Sequence, residues 1–277
     1  MNGVLLAIAR KEFRDRVRSR WVWVVAIVFA LFSLAIAFLG GAAQGAVGIR
    51  NIEAAIASLT SLAIFLVPLI ALVLGYDAVV GERERGTLEL LLSLPISKWA
   101  IVVGKFLGLG AALVAATGVG LGAAGIVLAF RLGWSVWSVW TQFALGCILL
   151  GLDFLAIAIW LSTWARDRSR ASGAAIAVWF ALILVFDLIL LAAMVALSVH
   201  PAGRWLPWVM LLNPADLFRI WGLASIGNVQ ALRGVSELFP SVVAQQPFWL
   251  AVALLGWTVG PLALAIRRFR RDGKELR

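Results

Sequence analysis

The sequence predicts an all-α membrane protein with six transmembrane helices, and three observations carry that expectation. Of 277 residues, 63% are hydrophobic and 14% charged, whereas a soluble domain is nearer half apolar and a quarter charged. Six apolar blocks are each long enough to cross about 30 Å of hydrocarbon, which takes about 20 residues. The Lys and Arg residues cluster in the gaps between alternate blocks. A water-soluble globule is excluded, and a single transmembrane domain over residues 1–277 is expected, with little chain left for a catalytic domain.

At the start, Leu6, Ala9, Phe13, Val17 and Trp21 recur at spacings of three and four, with Arg10, Lys11, Glu12, Arg14, Arg16 and Arg18 between them. The pattern predicts an N-terminal amphipathic interface helix over residues 1–20, lying along the headgroups with its basic face outward. The first span follows near Trp21 to Gly41. Its apolar run exceeds the roughly 7 to 15 residues of a signal-peptide core, which marks a retained span. The second lies near Ser58 to Val80, with Pro68 inside it and Asp77 near enough to its end to reach the interface.

Between the second and third spans comes Gly81-Glu82-Arg83-Glu84-Arg85-Gly86-Thr87-Leu88-Glu89-Leu90-Leu91-Leu92-Ser93-Leu94-Pro95. Its alternating charges are expected in solvent, Thr87 opens a helix of two turns, and Pro95 closes it. Five leucines in so short a helix are costly to leave in water. The segment, residues 81–99, is therefore expected to be covered by lipid, by the rest of the chain, or by a protein whose groove accepts a short helix.

Spans three, four and five are expected near Phe106 to Phe130, Trp140 to Trp164 and Ala171 to Val199, and the sixth near Pro247 to Ile266. Gly104 and Gly108, then Gly118 and Gly122, have the four-residue spacing that lets helix backbones approach closely. Residues 201–246 are too apolar for an idle loop. Trp205 to Leu212 is too short to cross and reads as an interfacial or re-entrant piece. Asn213-Pro214-Ala215-Asp216 then has the chemistry of a helix start, with Asn213 as N-cap, Pro214 at the first helical position and Asp216 near the positive end of the dipole. From there Leu217, Ile220, Trp221 and Ala224 share one stripe. A gate or docking platform built on Asn213, Pro214, Asp216 and Trp221, and a passive cap over the bundle, both fit this pattern.

Orientation follows from charge, because cytoplasmic loops retain Lys and Arg. With the N-terminus inside, 19 of the 24 basic residues fall on inner segments. Only Arg50, Arg131, Arg204, Arg219 and Arg233 lie outside. An even number of spans with both termini cytoplasmic fits this split. Trp21, Trp23, Trp99, Trp134, Trp137, Trp140, Trp160 and Trp164 fall at expected span ends, where an indole N–H reaches the headgroup layer.

One cysteine, Cys147, and one histidine, His200, exclude an internal disulfide and a zinc site of the usual spacing. Gly104-Lys105 precedes Phe106 and Gly273-Lys274 precedes Glu275, so neither makes a phosphate-binding P-loop. Asp153 and Asp187 fall near the middle of spans four and five, where a carboxylate costs about 2.5 to 3.5 kcal/mol. No Lys or Arg is expected at that depth. The two acids either line a polar path or sit hydrogen-bonded in the core. An intramembrane enzyme or a proton-coupled carrier would leave the leucine-rich segment unexplained.

Gly81 to Lys105, with its acidic-basic start, Gly-Thr-Leu core and Pro95, resembles the coupling segment of ABC-2 type permeases of ATP-binding-cassette transporters. The opening around Ala9-Arg10-Lys11-Glu12 and the six-span layout are similar to that family too. Gly75-Tyr76-Asp77, Phe186-Asp187-Leu188 and Leu211-Leu212-Asn213-Pro214-Ala215-Asp216 look most like members that support copper-site assembly in nitrous oxide reductase. The resemblance implies a bacterial inner-membrane homodimer that works with a cytoplasmic ATPase subunit and a periplasmic partner. ATP and magnesium would bind in the ATPase, and no cofactor or metal in this chain. It further implies ATPase coupling through Glu82, Arg83, Glu84, Arg85, Gly86, Thr87, Leu88, Leu90, Leu91 and Pro95, beside a connecting helix bearing Arg10, Lys11, Glu12 and Phe13. Cuprous ion prefers thiolate and thioether ligands. Cys147, Met194, His200 and Met210 make too sparse a set for a stepwise copper path, so another cargo or purely mechanical work is expected.

Overall fold

The computed structural model describes residues 2–39, 52–93, 96–197, 206–225 and 247–275, which are helical with no strand among them. The chain begins with α1 (Asn2–Arg18) and α2 (Arg20–Leu39), joined at Ser19. α3 (Ile52–Gly75) follows, then two short helices, α4 (Val80–Glu84) and α5 (Thr87–Ser93). α6 (Lys98–Leu132) and α7 (Trp137–Trp164) are the longest of the middle section. α8 (Arg168–Phe180), a π turn over Ala181–Val185 and α9 (Phe186–Leu197) run on without a loop. α10 (Leu206–Met210), α11 (Pro214–Ser225) and α12 (Pro247–Glu275) complete the described residues.

Five helical stretches are long and apolar enough to cross a membrane, and α1 with α2, bent by 63° where they meet, gives a sixth candidate. This agrees with the five later spans expected from sequence, and the sixth candidate takes in both the stretch read as an interface helix and the stretch read as the first span, with the bend between them. The core is built around α7, which packs against α3, α6, α11 and α12. Leu150, Phe154, Leu155, Ala156 and Ala158 on α7 are wholly buried. The stretch α8–α9 lies at the edge, with Ile176, Phe180, Leu188, Ile189 and Leu191 exposed. Apolar side chains on the outside of a spanning helix cost nothing where lipid tails replace water.

Several boundaries differ from the sequence reading, each for a physical reason. The second span stops being regular helix at Gly75, where a turn over residues 76–79 precedes α4. α6, at 35 residues, is about 50 Å long, more than about 30 Å of hydrocarbon requires. α12 continues past Ile266 to Glu275, and Arg268 stacks over the Trp164 ring at 5.1 Å. Trp140 turns inward, 2% exposed, and its Nε1 donates to the Leu121 carbonyl at 2.9 Å instead of reaching outward. Gly118 and Gly122 face open space, while Gly120 takes the α2 contact, an added Cβ there lying 2.5 Å from the Ala26 carbonyl.

Candidate functional site

Two polar assemblies stand out from the apolar bundle. The first gathers where α1, α4 and α6 meet. Gly104 and Gly108 lack side chains on the face of α6 that receives α1, and a Cβ on Gly108 would lie 2.5 Å from the Ala9 carbonyl oxygen. Backbone contact this close needs small residues. It brings Glu12 over Lys105, whose Nζ donates to Glu12 Oε1 at 2.9 Å and to Glu82 Oε1 at 2.7 Å. The Lys105 side chain is 3% exposed and those of Glu12 and Glu82 are 13% and 12%. Arg16 Nη2 meets Asp77 Oδ1 at 3.0 Å beside them. Between these groups lies a polar cavity of about 290 Å³, to which Lys11 and Arg85 also contribute.

The charged run over residues 82–85 is therefore only partly solvated: Glu84 and Arg85 are exposed as expected, while Glu82 and Arg83 are drawn partly into the protein. Glu82 belongs to Lys105, and Arg83 Nη1 donates to the Ala165 carbonyl at 2.6 Å. Glu84 accepts from the Arg168 backbone N–H at 2.7 Å and pairs with its guanidinium at 3.2 Å. Ser162 Oγ accepts the Val79 and Val80 N–H groups, each at 3.0 Å, which anchors the start of α4 to the end of α7. Each unpaired backbone donor or carboxylate this close to an apolar bundle would be costly, which is why the run folds back.

Gly86 turns the chain from α4 into α5 at φ +69°, a conformation open to glycine at little cost. Thr87 opens α5, its hydroxyl donating to the Glu82 carbonyl at 3.3 Å. Leu88 is buried, and Leu91 and Leu92 pack partly on the core, while Leu90 stays 70% exposed. Of the described leucines of α5, Leu88, Leu91 and Leu92 are covered at least in part by the chain itself, and Leu90 is outward. Leu94 and Pro95 lie outside the described residues.

On α1 the inward residues include Ile8, Phe13 and Glu12, whereas Leu6 is 67% exposed. The stripe expected from sequence is thus rotated, and α1 seats its inner face on α6. Arg16, expected on the basic outer face, turns in to Asp77. Arg10 and Lys11 face outward.

The second assembly forms where α11 enters the bundle. Asn213 caps α11, its Oδ1 accepting the Ala215 N–H at 3.0 Å, as expected of an N-cap. Its Nδ2 donates to the Leu182 carbonyl at 2.8 Å. Leu182 lies in the π turn, where the i→i+5 register (Phe186 N–H to the Ala181 carbonyl) disturbs the regular ladder and lets an outside donor in. Asp216, wholly buried, accepts from Arg219 Nη1 at 2.6 Å. Arg219 Nη2 also donates to Asp187 Oδ2 at 2.7 Å.

Burial pushes the Asp216 carboxyl up to about 6, against the lowering pull of Arg219. Arg219 is held above its usual range by Asp187 and Asp216, although burial works the other way. Pro214 is buried at the first helical position, and Trp221 Nε1 donates to the Gln142 carbonyl at 2.8 Å, with its ring over Gly146.

Arg219 overturns one expectation: a basic residue does reach the depth of Asp187. Counting charges along the chain placed it on an outer segment. The Asn213–Leu182 bond instead brings the start of α11 beside the middle of the fifth span. Asp153, by contrast, is fully buried and takes a short hydrogen bond from Thr258 of α12. The two acids thus have separate partners. Cys147 is buried in the core, and among the described residues no group of three or more His, Cys, Asp or Glu is placed to hold a metal. His200 lies outside the described residues.

Comparison with known proteins bears on the whole chain. Residues 6–273 match the model of the ABC-2 family transporter protein. A protein of Pseudomonas aeruginosa named as a probable ABC transporter permease protein NosY is 44% identical over 278 residues, covering 97% of this chain and 98% of that protein. Its namesake from Stutzerimonas stutzeri is 43% identical over 270 residues, covering 95% and 97%. With helices suited to multiple membrane crossings and similarity along nearly its full length to permease subunits, this chain belongs to the ABC-2 family of transporter proteins.

Proposed function

We propose that this chain is the membrane-spanning permease subunit of an ATP-binding-cassette transporter of the bacterial inner membrane. It works as a homodimer with both termini cytoplasmic. ATP hydrolysis in a separate cytoplasmic ATPase subunit of the NosF kind is coupled to transport or conformational work that supports copper-site assembly in nitrous oxide reductase, with a periplasmic partner of the NosD kind.

The observation that carries the reading is the Lys105 tie. One buried ammonium holds Glu12 of α1 and Glu82 of α4 at 2.9 and 2.7 Å. The connecting helix and the start of the coupling segment thereby become one platform on α6. A push on α5 at Leu90, its outward leucine, is delivered to α6 and α7 together, through Lys105 and through the Ser162 and Ala165 contacts of α4. Rigid-body coupling of this kind needs few moving joints. Leu90→Arg should abolish stimulation of ATP turnover by the substrate or partner while membrane insertion and dimer formation persist. Unimpaired coupling in that variant would refute the platform role.

A second reading, a mechanical transmitter for a copper-handling periplasmic partner, is supported by the scarcity of soft ligands. The sequence has one Cys, one His and three Met, and Cys147 is enclosed in the core. ATP-dependent copper flux into vesicles holding only this chain and its ATPase would refute it. Export of another substrate by a generic ABC-2 mechanism would use the same platform, with Asp153 and Asp187 as candidates for a polar path.

A further inference from the structure

We propose that Asp216, Arg219 and Asp187 form a one-proton latch that closes α11 onto the π joint of the fifth span. The charge count is the starting point. Two carboxylates share a single guanidinium, at 2.6 Å to Asp216 and 2.7 Å to Asp187. With both acids ionised the cluster carries one net negative charge in an environment that solvates charge poorly. One added proton makes it neutral. Asp216 is the natural acceptor because its side chain is 0% exposed, whereas Asp187 and Arg219 keep 32% and 35% of theirs open. The same opening gives the proton a route to the cluster.

Among the described residues, no other charged group faces Asp216. From its own helix Asp216 meets Arg219, and from α9 it meets Asp187. Contacts of α11 with α3 and α7 are made through Thr60, Gly146 and the Gln142 carbonyl. Those with α12 run through Leu250 and Leu254. The acid of α7, Asp153, is taken by Thr258.

The latch sits on a joint able to move. The π turn over Ala181–Val185 interrupts the fifth span immediately before Asp187, and interruptions of this kind gather at functional sites. Asn213 bonds to the Leu182 carbonyl of that turn and, at 3.2 Å, to Asp216 Oδ2. Loss of the proton sets the Asp216 carboxylate against that of Asp187 on α9, and this repulsion acts between α11 and the segment that follows the joint.

The direction follows from linkage. In the closed state burial raises the Asp216 carboxyl to about 6 from an ordinary 3.8, so the closed state binds the proton more tightly than a hydrated open one. Closure is favoured below pH 4 and is lost as pH rises through about 6. The shift bounds the change in the closed-to-open ratio at about 100-fold.

The test is hydrogen–deuterium exchange on the full chain in lipid nanodiscs at pH 5 and pH 7.5, corrected for intrinsic rates. Peptides covering residues 181–193 and 211–222 should lose protection together at pH 7.5, by up to about 10-fold relative to pH 5 in the wild type, since at pH 5 only part of the full span between 3.8 and about 6 is in play. Asp216→Asn, neutral without a proton, should stay protected at both values. Asp187→Asn, on the other helix, should do the same, and serves if Asp216→Asn fails to fold. Wild-type protection that does not change between the two values overturns the latch, as does full pH dependence in either variant. The experiment needs no ATPase, so its failure leaves the coupling role of α5 standing.

Discussion

Replacing Lys105 by Met removes the cation that two buried carboxylates share. The three side chains are 3%, 13% and 12% exposed, so solvent screens the interaction little. Breaking a buried ion pair by deleting one partner costs about 3 to 5 kcal/mol, because the remaining charge is left uncompensated. Here Glu82 loses its cation and Glu12 keeps only the exposed Lys11 ammonium at 3.9 Å. The least expensive escape is to lift α1 off α6, which returns Glu12 to water. At about 1.4 kcal/mol per factor of ten, amide exchange in the docked part of α1 should accelerate by roughly 100- to 4,000-fold. Hydrogen–deuterium exchange of the chain in nanodiscs reads this directly, with peptides from α7 as the internal reference. The triple variant Lys105→Met, Glu12→Gln, Glu82→Gln should restore most of the protection, since it leaves no buried charge behind. Exchange in α1 within about threefold of the wild type after Lys105→Met would refute the platform argument.

Other perturbations follow from the same geometry. Gly108→Leu would drive a side chain into the Ala9 backbone, 2.5 Å from an added Cβ; α1 should undock while α6 still inserts, seen as protease sensitivity confined to α1. Asn213→Ala removes the α11 cap and leaves the Leu182 carbonyl without its donor, at a cost of about 1 to 2 kcal/mol from the cap alone, measurable as a lower denaturation midpoint. Asn213→Asp should retain the cap and recover only part of that loss. A polar path through Asp153 and Asp187 requires that Asp→Asn at both positions cut transport at least tenfold, a change of about 1.4 kcal/mol in barrier; unchanged transport removes the path.

The spans were legible because lipid imposes long apolar blocks and charge marks their ends, and both signals survive in the bare sequence. Asn213-Pro214-Ala215-Asp216 was legible as a helix start for the same local reason: cap chemistry acts over three residues. Long-range pairings were not. Lys105 sits 93 positions from Glu12, and nothing in the intervening chain announces that one ammonium will serve both Glu12 and Glu82. Its place beside Gly104, in a helix that outruns the bilayer, was the available signal. Arg219 was misplaced because charge counting treats a loop as lying outside, whereas its helix turns back into the bundle. The π turn left no mark in an apolar run where every residue suits a regular helix. Leu6 and Arg16 show the limit of reading one helix by periodicity: the partner face on α6 decides which stripe turns inward, and Asp77 supplies a reason for Arg16 to join it.

Cysteine-specific cross-linking from position 90 in native membranes tests the central claim most directly. With Leu90→Cys, a short bifunctional reagent should join the chain to a nucleotide-binding subunit, and ATP should change the yield of that adduct. Labelling of the same cysteine by a membrane-impermeant reagent added outside intact cells, or its lasting accessibility in the assembled transporter, would contradict the account.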